Sequence, residues 1–174
     1  QDLVENLRRL AEMDETSLDR SGVDLAGVLE EAREQALSSP ESQNRNVTTS
    51  IQQVPWPLPT VWADHDLLVV AFRNLVENAL KFSIPDGLVE IRASEDGHRV
   101  LVEINDNGRG IPPEDLPHIF DELYRGENAR GLPGSGLGLA LVRRIIELHG
   151  GSIEVQSRPQ QGTMVRVHLP AAPV

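Results

Sequence analysis

The sequence contains no cysteine and has far fewer basic than acidic residues. Its 174 residues include 16 Lys and Arg against 27 Asp and Glu, which gives a formal net charge of −11 at pH 7. Without cysteine the chain cannot form disulfides, use a thiol nucleophile or bind zinc through cysteine. Domains that bind nucleic acid normally carry a basic face, so the acidic charge argues against that class of function.

Long hydrophobic runs are also lacking. The longest covers only residues 67–72, whereas a membrane-spanning helix needs roughly 18 or more apolar residues. The chain starts at Gln1 and shows no signal-peptide pattern. We therefore expect a soluble, cytoplasmic piece of a longer protein, a piece without membrane contact of its own even if the full-length parent is membrane-anchored. Its length lies within the roughly 100–200 residues typical of one domain.

The spacing of apolar residues predicts a chain that mixes helices and strands. The strongest helix follows Asp64, a good N-cap residue, and repeats apolar residues along one face. Residues 106–136 are rich in Gly and Pro, and loops of this length are usually functional or disordered. The predicted helices cover about 3–11, 24–37, 65–82 and 137–149, with a short candidate at 113–120, and the predicted strands cover 47–51, 89–93, 100–104, 152–157 and 163–169.

One polar stripe lies on the strongest predicted helix. At about 100° per residue, Asn74, Asn78 and Lys81 fall on a narrow strip beside the apolar face, with Glu77 at its edge. Such a strip is either an ordinary solvated surface or a place where amide oxygens and an ammonium group receive a hydrated Mg²⁺ ion and phosphate oxygens. The stripe alone does not decide between these interpretations.

Two glycine-rich segments follow. In residues 106–111 an acid precedes Gly108 and Gly110, which is typical of a turn but also allows a flat ring to approach the backbone, with Asp106 as an acceptor for an exocyclic amine. Residues 134–138 open the last predicted helix, where free N–H groups and the helix dipole favour phosphate, although such helix starts also occur for packing alone.

The order and spacing of these motifs resemble the sequence boxes of sensor histidine kinases. Four boxes and a terminal Gly-Thr element match in the right order, and the resemblance covers about residues 47–169. One departure is Leu123, which stands where the F-box often has an aromatic residue. The matching segments are 74–83 (N-box), 106–111 (first glycine box), 119–125 (F-box), 134–139 (second glycine box) and 162–163 (Gly-Thr).

The resemblance implies an α+β fold: a two-layer α/β sandwich with a mixed, mainly antiparallel sheet covered on one face by helices. It also implies ATP and Mg²⁺ as cofactors, with Asn78 as metal ligand, Asp106 as acceptor of the adenine amino group, Gly108 and Gly110 beside the base, and Arg125 approaching the phosphates from a lid. The implied ATP-binding residues are Asn74, Asn78, Lys81, Asp106, Gly108, Gly110, Ile111, Tyr124, Arg125, Gly134, Ser135, Gly136, Leu137, Gly138, Leu139 and Thr163.

The same resemblance assigns residues 1–20 to the end of a dimerisation hairpin helix and its linker, and residues 21–174 to the catalytic ATP-binding domain. None of the five His has the acidic and then basic-Thr-Pro-like surroundings of a phosphoacceptor, so no catalytic residue is assigned. We expect this domain to phosphorylate a histidine on its own hairpin, outside this chain, in a two-component system with a response regulator. The alternatives are a gyrase- or chaperone-like (GHKL-type) ATPase and a nucleotide-sensing adaptor domain without phosphoryl transfer.

Overall fold

A computed structural model describes residues 18–129 and 131–172 of the chain. In chain order its elements are β1 (Arg20–Val23), α1 (Leu25–Leu37), β2 (Asn46–Ile51), β3 (Val61–Asp64), α2 (His65–Phe82), β4 (Leu88–Asp96), β5 (Arg99–Asp106), α3 (Gly138–Leu148), β6 (Ser152–Arg158) and β7 (Gly162–Pro170). A five-stranded sheet has the order β2-β4-β5-β7-β6, and β1 pairs with β3 in a separate two-stranded sheet. Only β2 and β4 are parallel; the other neighbours in the large sheet are antiparallel.

The helices cover one face of the large sheet. Alternate residues of the central strands, such as Val89, Val102 and Val167, are fully buried against the helices, whereas their neighbours face away. Period-two burial of this kind is what a sheet with one covered face requires. The predicted two-layer α+β sandwich with a mixed, mainly antiparallel sheet is therefore confirmed.

Helices α1 and α2 begin where the sequence predicts. Asp64 caps α2, because its carboxylate accepts a hydrogen bond from the Leu67 N–H at 3.1 Å. Asp24 caps α1 in the same way through the Ala26 N–H. The predicted helices at 24–37, 65–82 and 137–149 and all five predicted strands are confirmed within one to three residues at each end.

Two predictions of local structure were wrong. The sequence predicts no strand before residue 47, but Arg20–Val23 forms β1, in register with Val61–Asp64 of β3. The helical candidate at 113–120 contains only a short 3-10 helix, Leu116–His118. An α-helix that starts at residue 113 would place Pro117 in its interior, where its missing N–H and its ring are unfavourable. The predicted helix at 3–11 lies outside the described residues.

A buried histidine joins the ends of two helices. The Nδ1 of His149, just after α3, bonds the Ile145 carbonyl oxygen at 2.7 Å, and its Nε2 accepts from the Asp64 N–H at 3.0 Å. This pairing requires the neutral ring with its proton on Nδ1. Burial lowers the pKa of His149, which favours that neutral form.

Candidate functional site

A cavity of about 460 Å³ lies between α2, the covered face of β5 and β7, the first turn of α3 and the loop before it. We call residues 121–133 of that loop the lid. Most of the residues that the sequence singled out border this cavity, whereas Gly108, Gly110 and Leu137 do not. Those that border it are Asn74, Asn78, Lys81, Asp106, Ile111, Tyr124, Arg125, Gly134, Ser135, Gly136, Gly138, Leu139 and Thr163.

The polar stripe of α2 faces the start of α3. The Nδ2 of Asn74 donates to the Val70 carbonyl one turn earlier at 2.8 Å, so its Oδ1 stays available on the cavity side. A Cβ atom added to Gly138 would lie 3.1 Å from that Oδ1 and 4.0 Å from Asn78 Nδ2. The absence of a side chain at Gly138 therefore leaves room between two amides and the helix start.

Lys81 brings positive charge to the same edge of the cavity. Its Nζ lies 5.2 Å from the centroid of the Phe82 ring, a cation–π distance. A Cβ atom on Gly134 would come within 2.6 Å of that Nζ, so the ammonium group lies directly beside the glycine-rich loop. An anion between the loop and α2 would contact both.

The first turn of α3 is suited to an anion. None of the side chains that the structure describes caps the helix at Leu137, and Gly138 and Leu139 border the cavity. The N–H groups of a first helical turn have no partner within the helix, and they lie at the positive end of its dipole. Phosphate is the group that such a helix start binds in many proteins.

Asp106 is a half-buried carboxylate that borders the cavity. It ends β5 on the face that the helices cover, and its Oδ1 accepts from the Gly108 N–H at 2.8 Å. Burial raises the pKa of Asp106 to about 6, although hydrogen bonds from the Gly108 and Thr163 N–H groups oppose the rise. The carboxylate is thus ionised at neutral pH, but its burial makes the charge energetically unfavourable. A hydrogen-bond donor from a ligand would stabilise the charged form.

The two glycines after Asp106 make close approaches to protein backbone. A Cβ atom on Gly108 would lie 2.1 Å from the Phe82 carbonyl oxygen, and one on Gly110, whose φ is +67°, would lie 1.9 Å from the Arg158 carbonyl oxygen. Both positions therefore require glycine for packing between α2, this loop and β6. Leu137, fully buried, has a packing role as well.

The lid is held by hydrogen bonds that the sequence did not reveal. Arg125 donates to the carbonyl oxygens of Ala129 and Leu132 within the lid. The Tyr124 hydroxyl donates to the Asp115 carboxylate at 2.7 Å. Asp115 is buried and borders the cavity, yet it belongs to none of the recognised motifs, and no periodicity in the sequence marks it.

Two further polar residues of the cavity lie outside the predicted ATP-binding set. The Ser39 Oγ, just after α1, is buried and has no hydrogen-bond partner among the described residues. Glu77 borders the cavity with its carboxylate 3.6 Å from the Arg73 guanidinium. Within residues 18–129 and 131–172, no group of three or more His, Asp or Glu forms a metal site.

The chain is similar in sequence to a known protein family. A family model described as histidine kinase-, DNA gyrase B-, and HSP90-like ATPase matches residues 63–173, well over half of the chain. This chain belongs to that family. The cavity of this ATPase-family domain lies almost wholly within the matched residues.

Curated relatives narrow the family to sensor kinases. The domain is 35% identical over 153 residues to the alginate biosynthesis sensor protein KinB of Pseudomonas aeruginosa, covering 88% of this chain and 25% of KinB. It is 41% identical over 113 residues to the sensor-like histidine kinase SenX3 of Mycobacterium tuberculosis, covering 64% of this chain and 28% of SenX3. The chain spans between 13% and 33% of the length of the curated relatives it matches.

Solved structures agree in fold. The mycobacterial sensor histidine kinase MprB superposes with a TM-score of 0.78 at 31% identity, covering 88% of this chain and all of that one. Full-length ShkA in complex with AMPPNP superposes with a TM-score of 0.83 at 28% identity, covering 99% of this chain and 36% of ShkA. The chain is thus an ATP-binding catalytic domain of the sensor histidine kinase type, which confirms the resemblance.

Among the helices that the structure describes, none combines the length and the apolar character needed to cross a membrane.

Proposed function

We propose that the cavity binds Mg·ATP and that the domain transfers the γ-phosphate to a histidine on a dimerisation hairpin of the full-length protein. One observation carries the proposal: the polar stripe of α2, the Asp106 carboxylate and the uncapped start of α3 border a single cavity. These three features offer amide oxygens for a metal, an acceptor for the adenine amine and N–H groups for phosphate.

The bound nucleotide has its base at the Asp106 end of the cavity and its phosphates at the α3 end. Ile111 and Thr163 border the base, whereas Ser135, Gly136, Gly138 and Leu139 present backbone to the phosphates. Lys81 beside Gly134 and Arg125 in the lid offset the charge of the terminal phosphate. Gly108, Gly110 and Leu137 support nucleotide binding indirectly. The two glycines allow protein backbone to pack closely, and Leu137 is buried in the packing.

The residues present fit one Mg²⁺ ion held jointly with the nucleotide. Mg²⁺ usually takes only one or two protein oxygen ligands and completes its octahedron with phosphate oxygens and water. Asn78 supplies an amide oxygen, and Asn74 Oδ1 lies one turn away toward α3. When bound, the ion neutralises part of the phosphate charge. The chain's own residues orient the γ-phosphate toward the open side of the cavity, where the acceptor histidine docks.

Rapid hydrolysis is not expected, because none of the described residues around the cavity is a well-placed general base for water. The position one turn before Asn78 is occupied by Asn74, where gyrase- and chaperone-like ATPases usually have a Glu. Glu77 borders the cavity, but its carboxylate lies against Arg73 at 3.6 Å. This arrangement favours transfer to a protein acceptor over an ATPase cycle.

Titration of the isolated chain with ATP in Mg²⁺ tests the proposal. We expect saturable binding, weaker binding in EDTA, and hydrolysis well below the roughly 1 s⁻¹ of dedicated enzymes. Multiple-turnover hydrolysis at or above that rate would support the ATPase alternative instead. Tight binding without transfer to a supplied hairpin would support the adaptor alternative.

In the full-length protein the partners are its own hairpin and a response regulator that takes the phosphate from the hairpin. The supporting observation is that the curated relatives are named as sensor proteins and histidine kinases. Since the substrate is ATP, the domain works on the cytoplasmic side of any membrane to which the parent protein is attached.

A further inference from the structure

Asp115 is a buried carboxylate that lies under the first turn of the lid. The residue is only 5% exposed. Its Oδ1 accepts from the Tyr124 hydroxyl at 2.7 Å and its Oδ2 accepts from the Glu127 N–H at 3.0 Å. Each carboxylate oxygen therefore holds a different residue of the lid, twelve or fewer positions further along the chain.

The rest of the lid is built on this anchor. The Arg125 guanidinium, between the two residues that Asp115 holds, donates to the carbonyl oxygens of Ala129 and Leu132. The Ala129 N–H donates to the Gly126 carbonyl at 3.1 Å, and Ala129 is buried at the cavity wall. A change at Asp115 would consequently shift Arg125 and the inner surface of the lid together.

Asp115 itself is fixed by the turn that carries it. The Asp115 N–H donates to the Pro112 carbonyl at 3.0 Å, and its own carbonyl accepts from the His118 N–H at 2.9 Å. The same turn follows directly on Ile111, which borders the cavity. The Asp115 carboxylate thus ties the lid to this turn of the site wall, beyond the contact between His118 and Asp121 at the start of the lid.

We propose that Asp115 is a positioning residue for nucleotide binding, which holds the first turn of the lid so that Arg125 lies over the phosphates. The proposal rests on the function proposed above for the cavity. In this arrangement the Tyr124 hydroxyl serves the lid through Asp115 instead of contacting the nucleotide. Hydrogen bonding to the Asp115 carboxylate raises the pKa of Tyr124, which keeps the hydroxyl a donor.

The proposal predicts which ligands depend on Asp115 for their affinity. A ligand with phosphates uses the lid, whereas adenosine uses only the base end of the cavity. Loss of the Asp115 contacts should therefore weaken ATP binding and leave adenosine binding unchanged. Because the carboxylate accepts two hydrogen bonds, the loss for ATP should be about tenfold, and it should be seen mainly as faster dissociation.

The test compares Asp115→Asn with Glu114→Gln. Both variants replace one carboxylate by an amide in the same turn, but Glu114 is exposed and holds no lid residue among the hydrogen bonds described. The Asn amide keeps one acceptor oxygen but carries no charge, so the Glu127 N–H and the Tyr124 hydroxyl no longer bond to a charged acceptor, and both contacts are weakened. The measurements are dissociation constants for Mg·ATP and adenosine, and hydrogen exchange of the lid amides in the empty domain.

In Asp115→Asn we expect the Glu127 amide to exchange at least tenfold faster and ATP to bind about tenfold more weakly. The affinity for adenosine and the thermal midpoint should stay close to those of Glu114→Gln. Tyr124→Phe should show a smaller effect, and the loss in the double variant with Asp115→Asn should be less than the sum of the two, because both changes act on the same contact. Additive losses would mean that Tyr124 contacts the nucleotide by itself, and would overturn its assigned role.

Equal lid exchange in Asp115→Asn and Glu114→Gln would overturn the anchor. Equal losses for ATP and adenosine would also overturn it, since they would indicate a general structural defect. If the wild-type chain failed to bind ATP at all, the proposed function would fail, but exchange of the empty lid would still report on the anchor separately.

Discussion

Replacing Asp106 by Asn should make the empty domain more stable and its ATP binding weaker. The carboxylate ends β5 inside the cavity, where burial raises its pKa from 3.8 to about 6. Asn keeps an oxygen that can accept the Gly108 N–H bond of 2.8 Å but carries no charge to bury. The two properties therefore change in opposite directions.

The size of the stability change follows from the pKa. An unfolded Asp has a pKa near 3.9, so below about pH 4 both states are protonated and burial costs nothing. As the pH rises through 4 to 6 the unfolded state ionises first, and stability is lost until the folded carboxyl has ionised as well. At about 1.4 kcal/mol per pKa unit, Asp106→Asn should stabilise the empty domain by about 2–3 kcal/mol at pH 8. That corresponds to roughly 5–10 °C in Tm for a domain of this size.

The binding change has the opposite sign. A hydrogen bond to a charged acceptor contributes about 1.5–3 kcal/mol, so ATP affinity at pH 8 should fall roughly ten- to a hundredfold in Asp106→Asn. GTP should lose less, or gain, because guanine presents an acceptor where adenine presents an amine and the Asn NH₂ can face it. In the wild type, ATP affinity should decline as the pH falls below about 6, and this decline should vanish in the variant.

Thermal unfolding at pH 8 and pH 5 and calorimetric titration with ATP and GTP measure these effects. Asp96→Asn, the same chemical change at the exposed end of β4, is the control and should alter neither property. A lower Tm for Asp106→Asn at pH 8 would refute the assignment of a costly buried charge. An unchanged ATP-to-GTP affinity ratio in a folded variant would remove Asp106 from the adenine site.

Three further outcomes are expected. Asn78→Ala should weaken ATP in Mg²⁺ by at least about tenfold and leave adenosine unchanged, and equal losses in parallel titrations would make Asn78 a structural residue. His149→Ala should lower the free energy of unfolding by about 1–3 kcal/mol at pH 8, since it leaves the Asp64 N–H without its partner and removes the side-chain bond to the Ile145 carbonyl. Because the lowered pKa means that the wild type loses stability as the pH falls below about 6.5, denaturant titration at pH 5 should show a smaller difference, and an equal one would contradict this. Gly131 has a φ of +80° and open space around it, so Gly131→Ala should lower the free energy of unfolding by about 1 kcal/mol. Gly110 has a φ of +67°, and an added Cβ would lie 1.9 Å from a carbonyl oxygen, so Gly110→Ala should lower it by at least about 2 kcal/mol more. Similar unfolding midpoints for the two variants would refute the close approach.

The main elements of the fold could be predicted because their signals are local. The apolar face of His65–Phe82 repeats over five turns and starts at a capping Asp64, and the β4–β5 hairpin shows period-two alternation on both strands. β1 and β3 have four residues each, too few to show alternation, and their pairing joins segments some 40 residues apart. Such pairing is a tertiary property that no single segment reveals.

The site divides in the same way. Asn74, Asn78 and Asp106 belong to motifs with a recognisable order, so the sequence could place them near one another. Asp115 and the buried Ser39 could not be found, because their importance comes from which atoms the fold brings to them. Leu123, the departure from the F-box pattern, is exposed and has a φ of +64°, and its N–H donates to the Gly136 carbonyl.

Transfer of labelled phosphate tests the central claim most directly. The isolated domain is incubated with Mg·ATP labelled at the γ-phosphate, alone and with the dimerisation hairpin of its parent protein supplied as a separate polypeptide. The account predicts no label on the domain itself and label on a histidine of the hairpin, lost when that histidine is replaced and strongly reduced by Asn78→Ala. Label on any of the domain's own five His, or ATP binding with no transfer to the intact hairpin, would contradict it.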